Sequence, residues 1–274
     1  TELILRITLP PMKTISIDKR YVRRLIKPEH IVNSKYEISP SSLPVLRRED
    51  FVIWVRNMDE IDDPGMREYL EWAEAFIREE HDMSNGRRFA TLYKKLSSRK
   101  WTRLPDVSGG LLIFRKGIHK NFGIFLNKTK NAQVHQRLYI GFVKGGVDVR
   151  PETLFAVVNS ALTYLGMELI GQTSLGQGAL DIKISDYERV PIINPLWLEK
   201  YLKECGRFEE FLDAARRVLS LRPVDIDNET RRPERMKMEQ FVLGSLGFND
   251  DDIKNLYEEL VRLVNFRITR ARSV

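Results

Sequence analysis

The 274-residue chain has a single cysteine, Cys205. No internal disulfide is therefore possible, and a reducing compartment such as the cytoplasm is expected. No apolar run approaches the roughly 20 residues that a membrane-crossing helix needs. The opening residues lack the charged-then-apolar pattern of a secretory leader. Together these point to a cytoplasmic protein with no membrane partner. Thr1, not Met, opens the chain, which fits either an excised stretch or a fragment of something longer. The four histidines, His30, His81, His119 and His135, show no metal-ligand spacing with one another or with Cys205. No repeat and no low-complexity segment occurs.

The most informative scarcity is local. Residues 83–147 contain one acid, Asp106, against 14 Lys and Arg, a net charge of +13. Residues 1–82 carry 13 basic and 16 acidic side chains, and residues 148–274 carry 18 and 21, so each flank is −3. The overall +7 thus arises entirely in the middle quarter. Charge spread evenly serves solubility, whereas charge concentrated in this way implies a polyanionic partner.

Composition is otherwise that of a globular chain, 42% hydrophobic and 30% charged. Residues 3–9 (LILRITL) and 51–56 (FVIWVR) read as strands, joined by a basic, proline-punctuated connection. Asp63-Pro64 opens a helix, with Asp as N-cap and Pro in the first turn. Met66, Tyr69, Leu70, Ala73, Phe76 and Ile77 share its inner face. Residues 111–115, 122–126 and 138–143 read as short antiparallel strands with cationic, amide-rich loops. Pro151 opens an apolar helix expected to run unbroken to about 169. Leu180, Ile182 and Ile184 alternate with Asp181 and Lys183, the period of a half-buried strand. Ser185 and Glu188 have the spacing of a capping box. From Pro195 the chain reads as helical. Phe208, Phe211, Leu212, Ala215 and Val218 share one helix face, and a polar link at 222–232 precedes a helix near 233–244. The last helix begins about Asn249, with Ile253, Leu256, Leu260 and Val264 inward. Asp250–Asp252 and Arg267, Arg270 and Arg272 match its dipole. These patterns predict an α+β protein, with an antiparallel-strand recognition domain over 1–204 and a helical C-terminal subdomain over 205–274.

Enzymatic motifs are weak. Asn194-Pro195-Leu196-Trp197 approaches the Asn-Pro-Pro-aromatic loop with which amino-methylating DNA enzymes hold a flipped base. Leu196 stands where the second proline belongs, and no glycine-rich turn or alternating strand–helix run is present to bind S-adenosylmethionine. Gly171 to Gln177 has the glycine spacing of a phosphate loop, but Gln177 occupies the lysine position. The glycines at 171, 176 and 178 are expected to permit positive φ in a tight connection, or to let amides approach a DNA phosphate. Pro105-Asp106 with Asp181-Ile182-Lys183 has the lettering of a metal-dependent nuclease, but the two parts are far apart, and both charged residues fit the outer face of a strand.

What remains is binding. Arg87, Arg88, Lys94, Lys95, Arg99, Lys100 and Arg103 surround Tyr93 and Trp101, and Arg115, Lys116, Lys120, Lys128 and Lys130 follow among Asn121, Asn127, Asn131 and Gln133. Lys and Arg neutralise phosphates and release counterions. Asn, Gln and Arg on loops pair with base edges. A solvated charged face is the plain alternative, but one acid in this whole segment favours nucleic acid.

The order of these features resembles the C-terminal half of gamma-class (Taq-type) adenine-N6 DNA methyltransferases and of fused restriction–modification enzymes. The similarity begins at Ile26-Lys27-Pro28 and FVIWV, passes through Tyr69-Leu70, Lys100-Trp101 and LFAVVNSAL, and is clearest in GQGALDIKISDYERVPIINP. The ending LGSLGFNDDDIKNLYEELVRLVNFRITRARS is similar to the helical tails of these enzymes. The resemblance implies a target-recognition half that clamps double-stranded DNA. An N-terminal or separate methyltransferase domain, holding S-adenosylmethionine, would perform the chemistry. No cofactor is expected in this chain, and no catalytic activity from it alone. The alternatives are a stand-alone specificity subunit that docks a separate methyltransferase through its helical tail, and an RNA-binding module.

Overall fold

The computed structural model describes residues 4–9, 13–32, 34–41, 43, 50–55, 60–97, 108–173 and 178–272. The protein is α+β and forms two compact units. The first comprises Thr1–Leu25, Leu46–Val107 and Asn131–Gln133, and the second Ile26–Val45, Ser108–Lys130 and Val134–Val274. The expected boundary at 204/205 falls inside the second unit.

In the first unit, strands Ile4–Leu9 and Lys13–Asp18 form an antiparallel hairpin with Ile7 opposite Ile15. The basic, proline-punctuated connection between residues 9 and 51 therefore contains strands of its own, Lys13–Asp18 and Val22–Ile26. Ile15 and Ile17 are buried while Thr14 and Ser16 are exposed, the alternation that one covered face requires. The helix Pro64–Met83 packs on this hairpin through Met66 and Leu70, and Ala73 and Ile77 continue the buried stripe as the sequence predicts. Its start is also as expected, with the Asp63 carboxylate accepting from the Met66 amide at 2.6 Å. Gly65 is needed for close approach, because a Cβ there would collide with the Ser16 carbonyl. The strand Phe51–Ile53, shorter than expected, pairs antiparallel with the strand Val22–Ile26.

The second unit carries a four-stranded sheet in the order Leu138–Gly141, Leu112–Arg115, Phe125–Asn127, Glu37–Ile38. The first three run antiparallel, and the fourth is parallel to its neighbour. Tyr36, Leu112, Ile124 and Leu126 are buried with helical residues that include Phe155, Tyr164, Phe211, Phe241 and Tyr257 in one core. The last helix, Asp250–Arg272, presents Ile253, Leu260 and Val264 to this same core. Its N-terminus is closed by Asn249, whose side chain accepts from the amides of Asp251 and Asp252, while Asp252 accepts from the Asn249 amide.

The helix expected to run from 151 to 169 is two helices, Pro151–Val158 and Ala161–Ile170, bent by 51°. The break has a chemical cause. The fully buried Asn159 side chain donates to the carbonyls of Ile124 (3.0 Å) and Phe155 (2.9 Å), and accepts from the Ile124 amide (2.9 Å) and the Tyr164 hydroxyl (2.8 Å). It thus trades helix continuity for a clasp on the strand region. Ser160 then N-caps the second helix by accepting from the Thr163 amide at 3.3 Å. Among the described residues, no single helix is long and apolar enough to cross a membrane.

Two further expectations fail at 180–188. The strand is only Leu180–Asp181, and a short helix, Ile184–Tyr187, begins where alternation predicted more strand. Ile184 is exposed rather than inward. The cap is formed by Asp186, which accepts from the Lys183 amide at 2.9 Å, two residues before the predicted Ser185–Glu188 pair.

The helix Pro233–Val242 places Arg235 in the centre of the unit with no solvent exposure. Its Nε donates to the Tyr257 hydroxyl at 2.8 Å, and its guanidinium lies 3.3 Å from Glu239, 3.8 Å from Glu229 and 5.1 Å from the centroid of the Tyr164 ring. It also donates to the Asn159 carbonyl. Glu239 accepts from the Ala161 amide (2.9 Å) and the Tyr257 hydroxyl (2.8 Å), while Glu229 accepts from the Tyr36 hydroxyl (3.0 Å). One buried cation thereby ties the bent helix pair, the last helix and the sheet together.

Candidate nucleic-acid interface

The basic segment is divided between the two units. In the first, helix Pro64–Met83 ends in a turn with Asn85 and Gly86 at positive φ, and Phe89, at φ 53, starts the helix Ala90–Leu96. Ser84 fixes the turn by accepting from the Arg88 amide at 2.7 Å and donating to the His81 carbonyl at 3.0 Å. Arg87, Arg88, Lys94 and Lys95 are all exposed on this feature. Arg88 pairs with Glu80 at 2.7 Å, whereas the side chains of Arg87 and Lys94 have no partner among the described residues. Tyr93 stacks on His81, ring centroids 3.7 Å apart. Arg99, Lys100, Arg103 and Trp101 lie outside the described residues.

In the second unit, some of the predicted contacts point inward. The Arg115 guanidinium donates to both the backbone carbonyl and the side-chain oxygen of Asn121 and lies over Phe125. Burial pulls it below the usual arginine range. Asn127 is buried, donating to the Gly110 carbonyl at 2.8 Å and accepting from the Thr129 amide at 3.0 Å, which shapes the following loop. Gln133, which belongs to the first unit, is buried as well. Lys120 lies 4.0 Å from Asp227, and Lys128 lies 3.1 Å from Glu37. Lys130 is exposed, as is Asn131 of the first unit.

Two cations overlooked in the sequence, Arg137 and Lys144, join the free set. Neither side chain has a partner among the described residues, and the same holds for Lys116 and Lys130. Both were open to composition alone, since they belong to the same acid-poor segment. Lys144 lies in the exposed stretch 142–148, followed by the open Gly145-Gly146 turn, with Phe142 60% exposed beside it.

Lys116 and Arg137 lie together at a junction between sheets. The Lys116 amide donates to the Arg137 carbonyl at 3.1 Å, and the Lys116 carbonyl accepts from the Ile182 amide at 2.9 Å. Strand Gly117–Ile118 pairs antiparallel with Leu180–Asp181, setting Asp181 opposite Gly117. Around this junction, Pro28, Arg115, Lys116, Gly117, Arg137, Leu138 and Asp181 line a cleft of about 450 Å³. The Tyr139 phenol is raised above its usual range by burial first, then by the carboxylates of Asp181 and Asp186.

The remaining motifs have structural explanations. Asn194 N-caps the helix Pro195–Glu204, accepting from the amides of Leu196 (3.0 Å) and Trp197 (3.2 Å). Its side-chain oxygen is therefore engaged, and Trp197 stacks on Tyr201 one turn along. Asp181 belongs to a strand pair, and Asp106 lies outside the described residues. Of the glycines, Gly171 has a negative φ, and Gly176 lies outside the described residues. Gly178 has φ +73, and a Cβ there would lie 2.8 Å from the Ile268 Cα of the last helix. The Gly178 carbonyl accepts from Arg267, which also donates to the His119 carbonyl (2.7 Å) and to both oxygens of Glu168 (2.8 and 3.1 Å). Arg267 is thus a buried clamp rather than a dipole partner, and this glycine faces helix. Gly178→Ala is expected to cost about 2–4 kcal/mol through backbone strain and overpacking, read as a lower urea midpoint. An unchanged midpoint would mean the loop is not pinned there.

No family model, curated protein or solved structure matches the chain.

Proposed function

We propose that the chain is a duplex-DNA recognition module, the specificity half of an S-adenosylmethionine-dependent adenine-N6 DNA methyltransferase of a restriction–modification system. The observation that carries this reading is the segment 83–147, with net +13 and one acid. Its described cations include six with no partner among the described residues, namely Arg87, Lys94, Lys116, Lys130, Arg137 and Lys144. Cations held without acids are the feature that phosphate neutralisation requires. The resemblance of residues 154–195 to the gamma-class recognition half supplies the enzyme context. In this reading an N-terminal or separate domain binds S-adenosylmethionine and methylates the adenine. This chain finds the site, and the cytoplasm is its proposed location.

The test is a competition. The full chain is bound to a labelled duplex DNA over a salt series and challenged with duplex RNA of the same sequence. The expected result is salt-dependent binding that RNA displaces poorly, because the deep, narrow A-form major groove does not admit the side chains that read B-DNA. Equal displacement by RNA would replace the proposal with an RNA-binding module.

A further inference from the structure

Two clefts of the second unit contrast in how they treat charge. The larger, about 620 Å³, is lined by Lys35, Glu37, Lys128, Glu152 and Arg216 among others. There opposite charges pair, Lys128 with Glu37 at 3.1 Å and Arg216 with Glu152 at 3.2 Å. The smaller, about 450 Å³, holds Lys116 and Arg137 together with Asp181, and none of the three forms an ion pair among the described residues. One oxygen of Asp181, Oδ1, is shielded from solvent and has no hydrogen-bond partner. A shielded acceptor without a donor is unfavourable, and two cations in the same cleft leave it so.

The arrangement is fixed by backbone rather than by side-chain chance. Lys116 is hydrogen-bonded on one side to Arg137 and on the other to Ile182, and Asp181 is held by its register with Gly117. Pro28 and Leu138 supply apolar wall. Separate positive and negative groups in one pocket suit a ligand that carries an anion and an N–H donor at once. A nucleotide does, with its phosphate at one end and an exocyclic amine on cytosine or adenine at the other.

Resting on the DNA-recognition reading, we infer that this cleft takes one nucleotide of the bound duplex, with Lys116 and Arg137 on its backbone phosphates and Asp181 accepting a hydrogen bond from the amine of a cytosine or adenine. Asp is a known acceptor for the cytosine amine. Thymine presents no amine and would leave the carboxylate unsatisfied, so the cleft rejects it. Asp181 is then a specificity-determining residue, and the two cations are positioning residues for it.

The experiment uses the full chain and a pool of short duplexes with a randomised centre, with salt titrations on one fixed duplex from that pool. Lys116→Ala combined with Arg137→Ala should flatten the salt dependence by about two counterions. Asp181→Asn should relax the selected sequence at one amine-bearing base by about tenfold, with other positions unchanged. The cation pair gives an independent readout if the Asp181 variant does not fold. Selection of the same sequence by wild type and Asp181→Asn, or an unchanged salt slope in the cation variant, would overturn the inference and leave the DNA-recognition reading standing. Absence of any duplex binding by the wild-type chain would overturn both.

Discussion

Replacing Arg235 by Met is expected to destabilise the second unit by about 3–5 kcal/mol, the cost of removing one partner from a buried charge network. Arg235 has no solvent exposure, and Glu229 and Glu239 beside it are 2% and 0% exposed. The variant therefore leaves two carboxylates facing each other's field with no cation between them. The Tyr257 hydroxyl and the Asn159 carbonyl each lose a donor as well. The deficit should depend on pH in a definite sense. Burial raises the Glu239 carboxyl above its usual range, against the opposing pull of Arg235. A carboxyl whose folded pKa is raised binds more protons in the folded state than in the unfolded one, between the two pKa values. Its contribution is fully present below the unfolded value, about 4.3, and is lost as pH rises through the folded value. Removing Arg235 raises the folded value further and widens that window. Urea unfolding should accordingly show a larger deficit at about pH 8 than at about pH 5. The double variant Arg235→Met with Glu239→Met should recover part of the loss, since an apolar replacement of a buried pair is often tolerated. A deficit under about 1 kcal/mol at the higher pH would mean that the network is dispensable to the fold.

That network also shows where the sequence stops being legible. Helix faces are readable because burial of a stripe follows directly from periodicity. Met66, Leu70, Ala73 and Ile77 are buried as their spacing predicts, as are Phe211, Leu212, Ala215 and Val218. Caps are readable when the hydrogen bond is local and the competing signals are few, as at Asp63. They fail where two candidates lie close together, as at 183–188, where Asp186 closes the turn instead of Ser185 and Glu188. Features held by partners distant in sequence are not readable. In PERMKMEQFV the Arg235–Glu239 pair reads as an ordinary surface i,i+4 ion pair, and what buries it comes from outside the segment, from Asn159, Glu229 and Tyr257. Asn159 breaks its helix for the sake of Ile124, 35 residues earlier. The last helix reads as a tail by its charges, yet Arg267 reaches back to Glu168 and His119 and fastens it to the core.

For the candidate interface the balance is similar. Charge imbalance is a property of composition and needs no fold to be seen. Direction is a property of the fold. Arg115, Asn127 and Gln133 have the right chemistry for DNA but spend it inside the protein. In the sequence Asp181 reads as part of a nuclease-like motif or as the outer face of a strand, and its cleft with Lys116 and Arg137 exists only once strand Gly117–Ile118 lies against Leu180–Asp181.

The largest expected effect on binding comes from reversing four of the five cations of the segment that are both exposed and unpartnered, Arg87, Lys94, Lys130 and Lys144, leaving Arg137 in its cleft untouched. Each is a surface position without a contact to lose, so each change to Glu should alter stability by no more than about 0.5 kcal/mol. Each phosphate contact removed lowers the salt slope by about 0.9. The quadruple variant should lose about 10³-fold in duplex affinity near physiological salt, with the slope reduced by three to four. Net charge alone also weakens attraction to DNA, so a control must carry the same change elsewhere. Reversal of Lys200, Arg217, Lys254 and Arg262, all exposed and outside the basic segment, alters the total charge equally. Long-range attraction is screened beyond about 8–10 Å in physiological salt, so this control should lose far less affinity and keep its slope. Equal losses in the two quadruple variants would mean that binding follows total charge and that the segment 83–147 holds no interface. A wide separation between them would locate the phosphate contacts in that segment, whatever sequence the bases then specify.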